Sequence, residues 1–356
     1  MPSTCPASIE YIGVHAAQPS DPIAVIFEGR EIRYKDLYAS TGQMISLLKA
    51  QGLKPGQTAA IEDGNLVLHL LVLLACDAMG VATLSFIRSD LDVLRGPLRQ
   101  FDWLLAYDDP GIADVPFLWL GDQSWNDALG AATPVLPILS EDQDPSSPVR
   151  IVMSSGTSAE KKLMVQSRAV HEARLSIGRI HNIYSTETRF LALYNLSLEA
   201  VFRKALNILR AGGCLIRDTN STSFQEILSK NRVTDILTLP HNLDQMIGEL
   251  SQRPGLVEKI HVHNIGGAAS AQKRALAERH FAKTFTETFG TNETGTICWI
   301  HRPGEGTVMP GVTVEVVDET DKPVFNTLGR LRIKGDGVID GYWRDAGASQ
   351  QAFRDG

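Results

Sequence analysis

Residues 58–86, TAAIEDGNLVLHLLVLLACDAMGVATLSF, set a short apolar run, a longer apolar segment closed by Gly80, and a second short apolar run in succession. That order is strand, helix, strand. Its recurrence along the chain restricts the fold to an α/β class, with mostly parallel sheets and helices on their faces. A hairpin turning at Glu28-Gly29-Arg30 is expected over 23–37, with helical periodicity over 35–50 and further strands at 103–107 and 117–120. The Pro-, Ser- and Asp-rich segment 121–148 reads as a connecting loop. Strands then alternate with helices from 149 to 282, and period-two runs at 312–318, 323–325 and 329–335 predict antiparallel strands. The expected architecture is two α/β lobes packed together, 1–145 and 146–300, with a small antiparallel β-rich subdomain over 301–356.

Several classes are disfavoured early. A chain of 356 residues exceeds one simple core. The net charge is −7 and no basic stripe is present, which argues against nucleic acid as a partner. The strongest apolar run, 66–75, is about half a membrane span. Cys5, Cys76, Cys214 and Cys298 are scattered and form no CxxC pair, so reduced thiols in a cytoplasmic protein are expected. The N-terminus lacks a signal-peptide pattern.

Three short segments carry chemistry. The strand ending at Met153 runs into Ser154-Ser155-Gly156-Thr157-Ser158, with Lys162 beyond. Backbone N–H groups and hydroxyls in such a loop can face phosphate oxygens, and the lysine adds a mobile charge. The spacing is not that of a P-loop, because the loop has one glycine and no Ser/Thr after the lysine. Gly266-Gly267-Ala268-Ala269 follows a strand, and small residues there let a planar ligand approach the backbone. In Thr286 to Gly295, TETFGTNETG, the Phe289 ring beside Gly290 suits a flat heterocycle, and Glu293 offers a carboxylate of the kind Mg²⁺ takes beside substrate phosphates. This segment reads locally as a polar loop.

The colinear order of these segments, followed by a β-rich stretch ending in Gly341-Tyr342-Trp343, resembles the adenylate-forming superfamily of acyl- and aryl-CoA ligases, nonribosomal peptide synthetase adenylation domains and firefly luciferase. The resemblance implies ATP, Mg²⁺ and a small carboxylic acid as ligands. It also implies an acyl-adenylate intermediate and an acceptor thiol from CoA or carrier-protein phosphopantetheine. ATP contacts would come from Ser154, Ser155, Gly156, Thr157, Ser158, Lys162, Gly267, Ala268, Thr288, Phe289, Gly290 and Asn292. Lys162, Asn292 and Glu293 would act in catalysis, with Glu293 on the metal. The acid would meet Tyr194, Asn195 and Gly266. Departures are visible: Ala159, Lys161 and Leu163 stand where the family usually has glycine, proline and glycine, and Asn292 replaces a threonine.

Asn195 stands where amino-acid-activating relatives commonly carry aspartate, which favours an aryl acid over an amino acid. The resemblance further implies that the chain corresponds to the large N-terminal domain without the C-terminal lid, and that alone it is weakly active. The alternatives are a stand-alone adenylation domain loading a carrier protein and a non-catalytic adenylate-binding homologue. His261 and His263 share a strand face without other ligands nearby in sequence. His69 is expected to be a satisfied core histidine, and Glu199 to anchor its helix.

Overall fold

The computed structural model describes residues 6–121, 127, 130, 131, 133, 144–154, 161–180, 183–252, 255, 257–302 and 304–353. Among them three sheets form. In the opening stretch, β3 (Thr58–Glu62) is buried at all five positions, as expected of a central parallel strand. Helix α3 (Leu66–Met79) begins where the Asn65 side chain accepts from the N–H groups of Val67 and Leu68, and ends at Gly80 in the left-handed conformation. β4 (Ala82–Phe86) then pairs parallel with β3.

The larger sheet is built on β1 (Ile23–Phe27), β9 (Arg189–Leu191), β10 (Cys214–Arg217), β11 (Asp235–Thr238), β12 (Ile260–Asn264) and β13 (Ala282–Thr291), all parallel. Antiparallel strands close its edges: β2 (Arg30–Arg33) on one side, β14 (Gly295–Arg302) and β15 (Glu305–Val308) on the other. The second sheet has the order β18 (Gly341–Tyr342), β8 (Leu163–Ser167), β7 (Pro148–Met153), β4, β3, β5 (Trp103–Ala106), β6 (Phe117–Trp119). The third is the antiparallel ribbon of β16 (Thr313–Val317) and β17 (Arg330–Lys334).

One buried apolar cluster joins the two large sheets. It takes Val25, Phe190 and Leu215 from one sheet and Ala59, Ile61 and Leu105 from the other. Between them lie side chains of α1 (Ser8–Ala16), α2 (Tyr34–Gln51), α3, α5 (Arg168–Ile180) and α6 (Glu199–Arg210), whereas α4 (Leu91–Leu98) packs in a separate cluster with β3 and β4 residues. Helices α7 (Phe224–Lys230), α8 (Pro240–Leu250) and α9 (Ala271–His280) pack in another cluster with β10, β11 and β12. The α/β architecture with a small antiparallel ribbon agrees with the sequence reading. Two local expectations do not. Segment 323–325 contributes a single bridge, Pro323 to Val317, instead of a strand. Segment 286–295 is not a polar loop: β13 continues to Thr291, and β14 returns from Gly295. Among the described residues no helix is long and apolar enough to cross a membrane, and Cys76, Cys214 and Cys298 are free thiols.

Candidate active site

β7 and β8 are antiparallel neighbours with Met153 opposite Leu163, and the Ser/Thr/Gly loop is the connection between them. Its neck is closed twice. Ser154 N–H donates to the Lys162 carbonyl at 2.8 Å, and Lys162 N–H donates to Ser154 Oγ at 3.1 Å. Ser155, Gly156, Thr157 and Ser158 lie outside the described residues. The Lys162 ammonium sits 4.7 Å from the centre of the Tyr342 ring, a cation–π distance. Tyr342 is carried there by β18, whose two residues pair with Val165 and Met164. Its hydroxyl makes a long contact, 3.5 Å, with Glu293 Oε1. Burial and then the Glu293 charge raise the Tyr342 pKa, so the group stays a neutral donor.

The turn after β13 is bound to this neck. The Asn292 amide donates to the Met153 carbonyl at 3.0 Å. Below the turn, Arg174 of α5 is 1% exposed. It donates to the carbonyls of Asn292 (2.9 Å), Glu293 (3.0 Å) and Gly337 (2.8 Å). Burial, with the Arg203 charge adding, lowers its pKa to about 10, which leaves it charged at neutral pH. Glu293 and Tyr342 line an open cleft of ≈ 670 Å³ whose other side is formed by β16 and β17.

The third segment approaches through β12 and β13. Buried Glu287 accepts from the Ala269 N–H at 2.7 Å and from Asn264 Nδ2 at 2.8 Å, and Asn264 also donates to the Gly267 carbonyl. These bonds pin the turn 266–269 and leave Gly266, Gly267 and Ala268 exposed. Phe289, 44% exposed, presents its ring two residues beyond Glu287. Gly290 has no substitute, because a Cβ there would lie 2.0 Å from the Gly295 carbonyl oxygen.

The remaining candidates sit apart from this cluster. Thr288 is engaged through its hydroxyl with His263 Nε2 at 2.9 Å. The Tyr194 hydroxyl donates to Asn242 Oδ1 at 2.6 Å and accepts from the Leu239 N–H at 2.8 Å. The Asn195 oxygen accepts from Arg217 at 2.9 Å and lines a separate cleft of ≈ 120 Å³ with Asp63, Glu28 and Thr219. His69 is a fully buried core histidine, with Nε2 bonded to Ser85 Oγ at 2.8 Å and Nδ1 2.8 Å from Asp63 Oδ1. Glu199 anchors α6 to the second sheet by accepting from Gln166.

The sequence pattern of the AMP-binding enzyme family matches residues 106–343, more than half of the chain. The chain belongs to that family. AMP-binding enzymes similar to it include indoleacetate–CoA ligase from Aromatoleum aromaticum, 21% identical over 98% of this chain and 74% of the relative. The medium/long-chain-fatty-acid–[acyl-carrier-protein] ligase FadD10 from Mycobacterium tuberculosis is 22% identical over 91% of this chain and 67% of its own length. The crystal structure of ATP-bound MatB from Rhodopseudomonas palustris shares the fold, with a TM-score of 0.84 at 20% identity, over 98% of this chain and 74% of that one.

Three residues that organise this candidate site carry no sign in the sequence of the parts they play. Arg174 and Glu287 carry no local signal, because an arginine in an amphipathic helix and a glutamate in a Thr-rich run read as solvated charges. Tyr342 was visible only as part of a closing motif. The metal expectation fits the donor set in one respect. Glu293 is a single carboxylate beside an open cleft, and no cage of three acidic, His or Cys residues occurs among the described residues. Such a site suits a hard cation that brings its other ligands with water and phosphate.

Proposed function

We propose that the chain binds ATP and a small carboxylic acid and joins them as an acyl-adenylate. The observation that carries this reading is the joint between the phosphate-loop neck and the turn after β13. Lys162, Tyr342 and Glu293 stand in line there, and Asn292 ties the turn to Met153. In the reaction, the acid carboxylate forms a bond to the α-phosphorus, the bond from that phosphorus to the bridging oxygen breaks, and pyrophosphate leaves with the electron pair.

The chain's own groups meet the demands of that step. Lys162 holds positive charge beside the departing phosphates, and lifting off the Tyr342 ring lets it follow them. Asn292 and the Arg174 bonds keep the turn at fixed height against the loop, so binding energy is not spent on ordering it. Phe289 and the exposed backbone at 266–268 form a flat face for adenine. Mg²⁺ bound through Glu293 would neutralise phosphate charge.

An aryl acid is the favoured substrate, and indoleacetate–CoA ligase among the relatives supports an acid bearing an aromatic ring. CoA is the favoured acceptor. The similarity to FadD10, named as an acyl-carrier-protein ligase, keeps a carrier-bound thiol as the second reading. The test is calorimetric titration of ATP into wild type and Glu293→Ala, with Mg²⁺ and with EDTA. The reading expects Mg²⁺ to tighten ATP in wild type alone. A metal response equal in both proteins would remove Glu293 from the metal, and no ATP binding in either would remove the nucleotide.

A further inference from the structure

The buried lysine of α6 is not used by anything described so far. Lys204 is 5% exposed. Among the described residues its ammonium makes no hydrogen bond. Its carboxylate partner, Asp235, holds Oδ1 3.8 Å away, beyond hydrogen-bond reach, while the other oxygen accepts from Thr234 at 2.8 Å. The rings of Tyr184 and Phe190 lie 5.7 and 5.2 Å from the ammonium and offer only their faces. A buried ammonium with unused donors is costly, and a structure retains one where something else supplies the acceptor.

The ammonium borders a cleft of ≈ 330 Å³ lined by Lys204, Asp235, His261, His263, Thr286 and Trp299. That is the size of a small-molecule site. Two of the strands that line it, β12 and β13, lead on to the candidate active site. His263, on its wall, bonds Thr288, the neighbour of Phe289, and β12 runs from His261 up to the Gly266 turn. Asp235 pairs in register with His261, three residues below Asn264. At a strand rise of ~3.3 Å per residue the ammonium level lies about 10 Å beneath the strand ends.

We propose that this cleft receives the far end of the acid, and that Lys204 holds a second anionic group there, a carboxylate or phenolate, so that the substrate is an acid with a negative charge at each end. The inference rests on the adenylate reading and adds the substrate's distal chemistry to it. Lys204 keeps its ion pair with Asp235, 3.8 Å away, and has all three donors available to the ligand. The two imidazoles and Thr286 form a polar wall, which suits an oxygen-bearing end better than an alkyl one.

The experiment is calorimetric titration of two matched pairs of non-hydrolysable adenylate analogues. These are cinnamoyl-sulfamoyl adenosine with its para-carboxy derivative, and octanoyl-sulfamoyl adenosine with its ω-carboxy derivative. Wild type should bind the charged member of at least one pair roughly tenfold or more tightly. The Lys204→Met/Asp235→Asn double variant removes both charges together, so it avoids an orphaned carboxylate, and it should bring that ratio to about one. Uncharged members binding as tightly as charged ones would overturn the distal site and leave the adenylate reading standing. A ratio that survives intact in the folded double variant would also overturn it. No binding by any of the four would overturn the adenylate reading and this inference with it.

Discussion

The side-chain amide of Asn292 donates to the backbone carbonyl of Met153 at 3.0 Å, so the turn after β13 and the strand entering the Ser/Thr/Gly loop are tied by one side chain. Asn292→Ala should destabilise the fold by about 1 kcal/mol. It should also weaken ATP, because loop and turn lose their common register. Denaturant unfolding and ATP titration of the same variant check both, and an ATP affinity equal to wild type would show that the tie has no part in binding.

Arg174 reaches three carbonyls with one planar group. Arg174→Lys retains the charge but cannot span them, so the variant should lose about 2–3 kcal/mol. Urea unfolding measures it. A midpoint matching wild type would mean that the turn holds its shape without the guanidinium.

The proposed function has Lys162 follow phosphates that AMP lacks. Lys162→Ala should therefore weaken ATP by roughly tenfold more than AMP. Parallel titrations of the two nucleotides decide it. Equal losses would assign the lysine to the part of the nucleotide that both share.

Burial, with the Lys204 and Arg203 charges adding, lowers the His263 pKa to about 3. The unfolded chain, with an ordinary histidine near 6.5, binds the extra proton between those values. His263 thus contributes no penalty above pH ~6.5, and stability falls as pH drops from there toward 3. In unfolding curves taken from pH 7 to 4, His263→Gln should show a shallower fall than wild type. Coincident profiles would show that this imidazole does not set the acid limb.

The α/β order was legible because each element carried its own period and its own stop. Asn65 and Gly80 bound α3, and the all-apolar TAAI of β3 has the composition of a strand covered on both faces. The hairpin of β13 and β14 was missed. Gly290 and Gly295 read as loop signals, whereas one permits a close backbone approach at a bulge and the other begins the return strand. The motifs marked the segments proposed to form the site, and their order in the chain gave the family. The residues that hold those loops together are distant in sequence: Arg174 acts on 292–293 and 337, and Glu287 acts on 269. Such contacts leave no local pattern, which is why Arg174, Glu287 and Lys204 emerge only once the sheets are assembled.

In the proposed function the segments at 154–162, 266–269 and 289–293 form one site for an acyl-adenylate. Calorimetric titration of an acyl-sulfamoyl adenosine panel into wild type and into Lys162→Ala/Asn292→Ala tests it most directly. The account predicts binding of at least one member by wild type, competed by ATP, and a loss of roughly a hundredfold in the double variant. Binding that is indifferent to both substitutions, or that ATP does not displace, would contradict it.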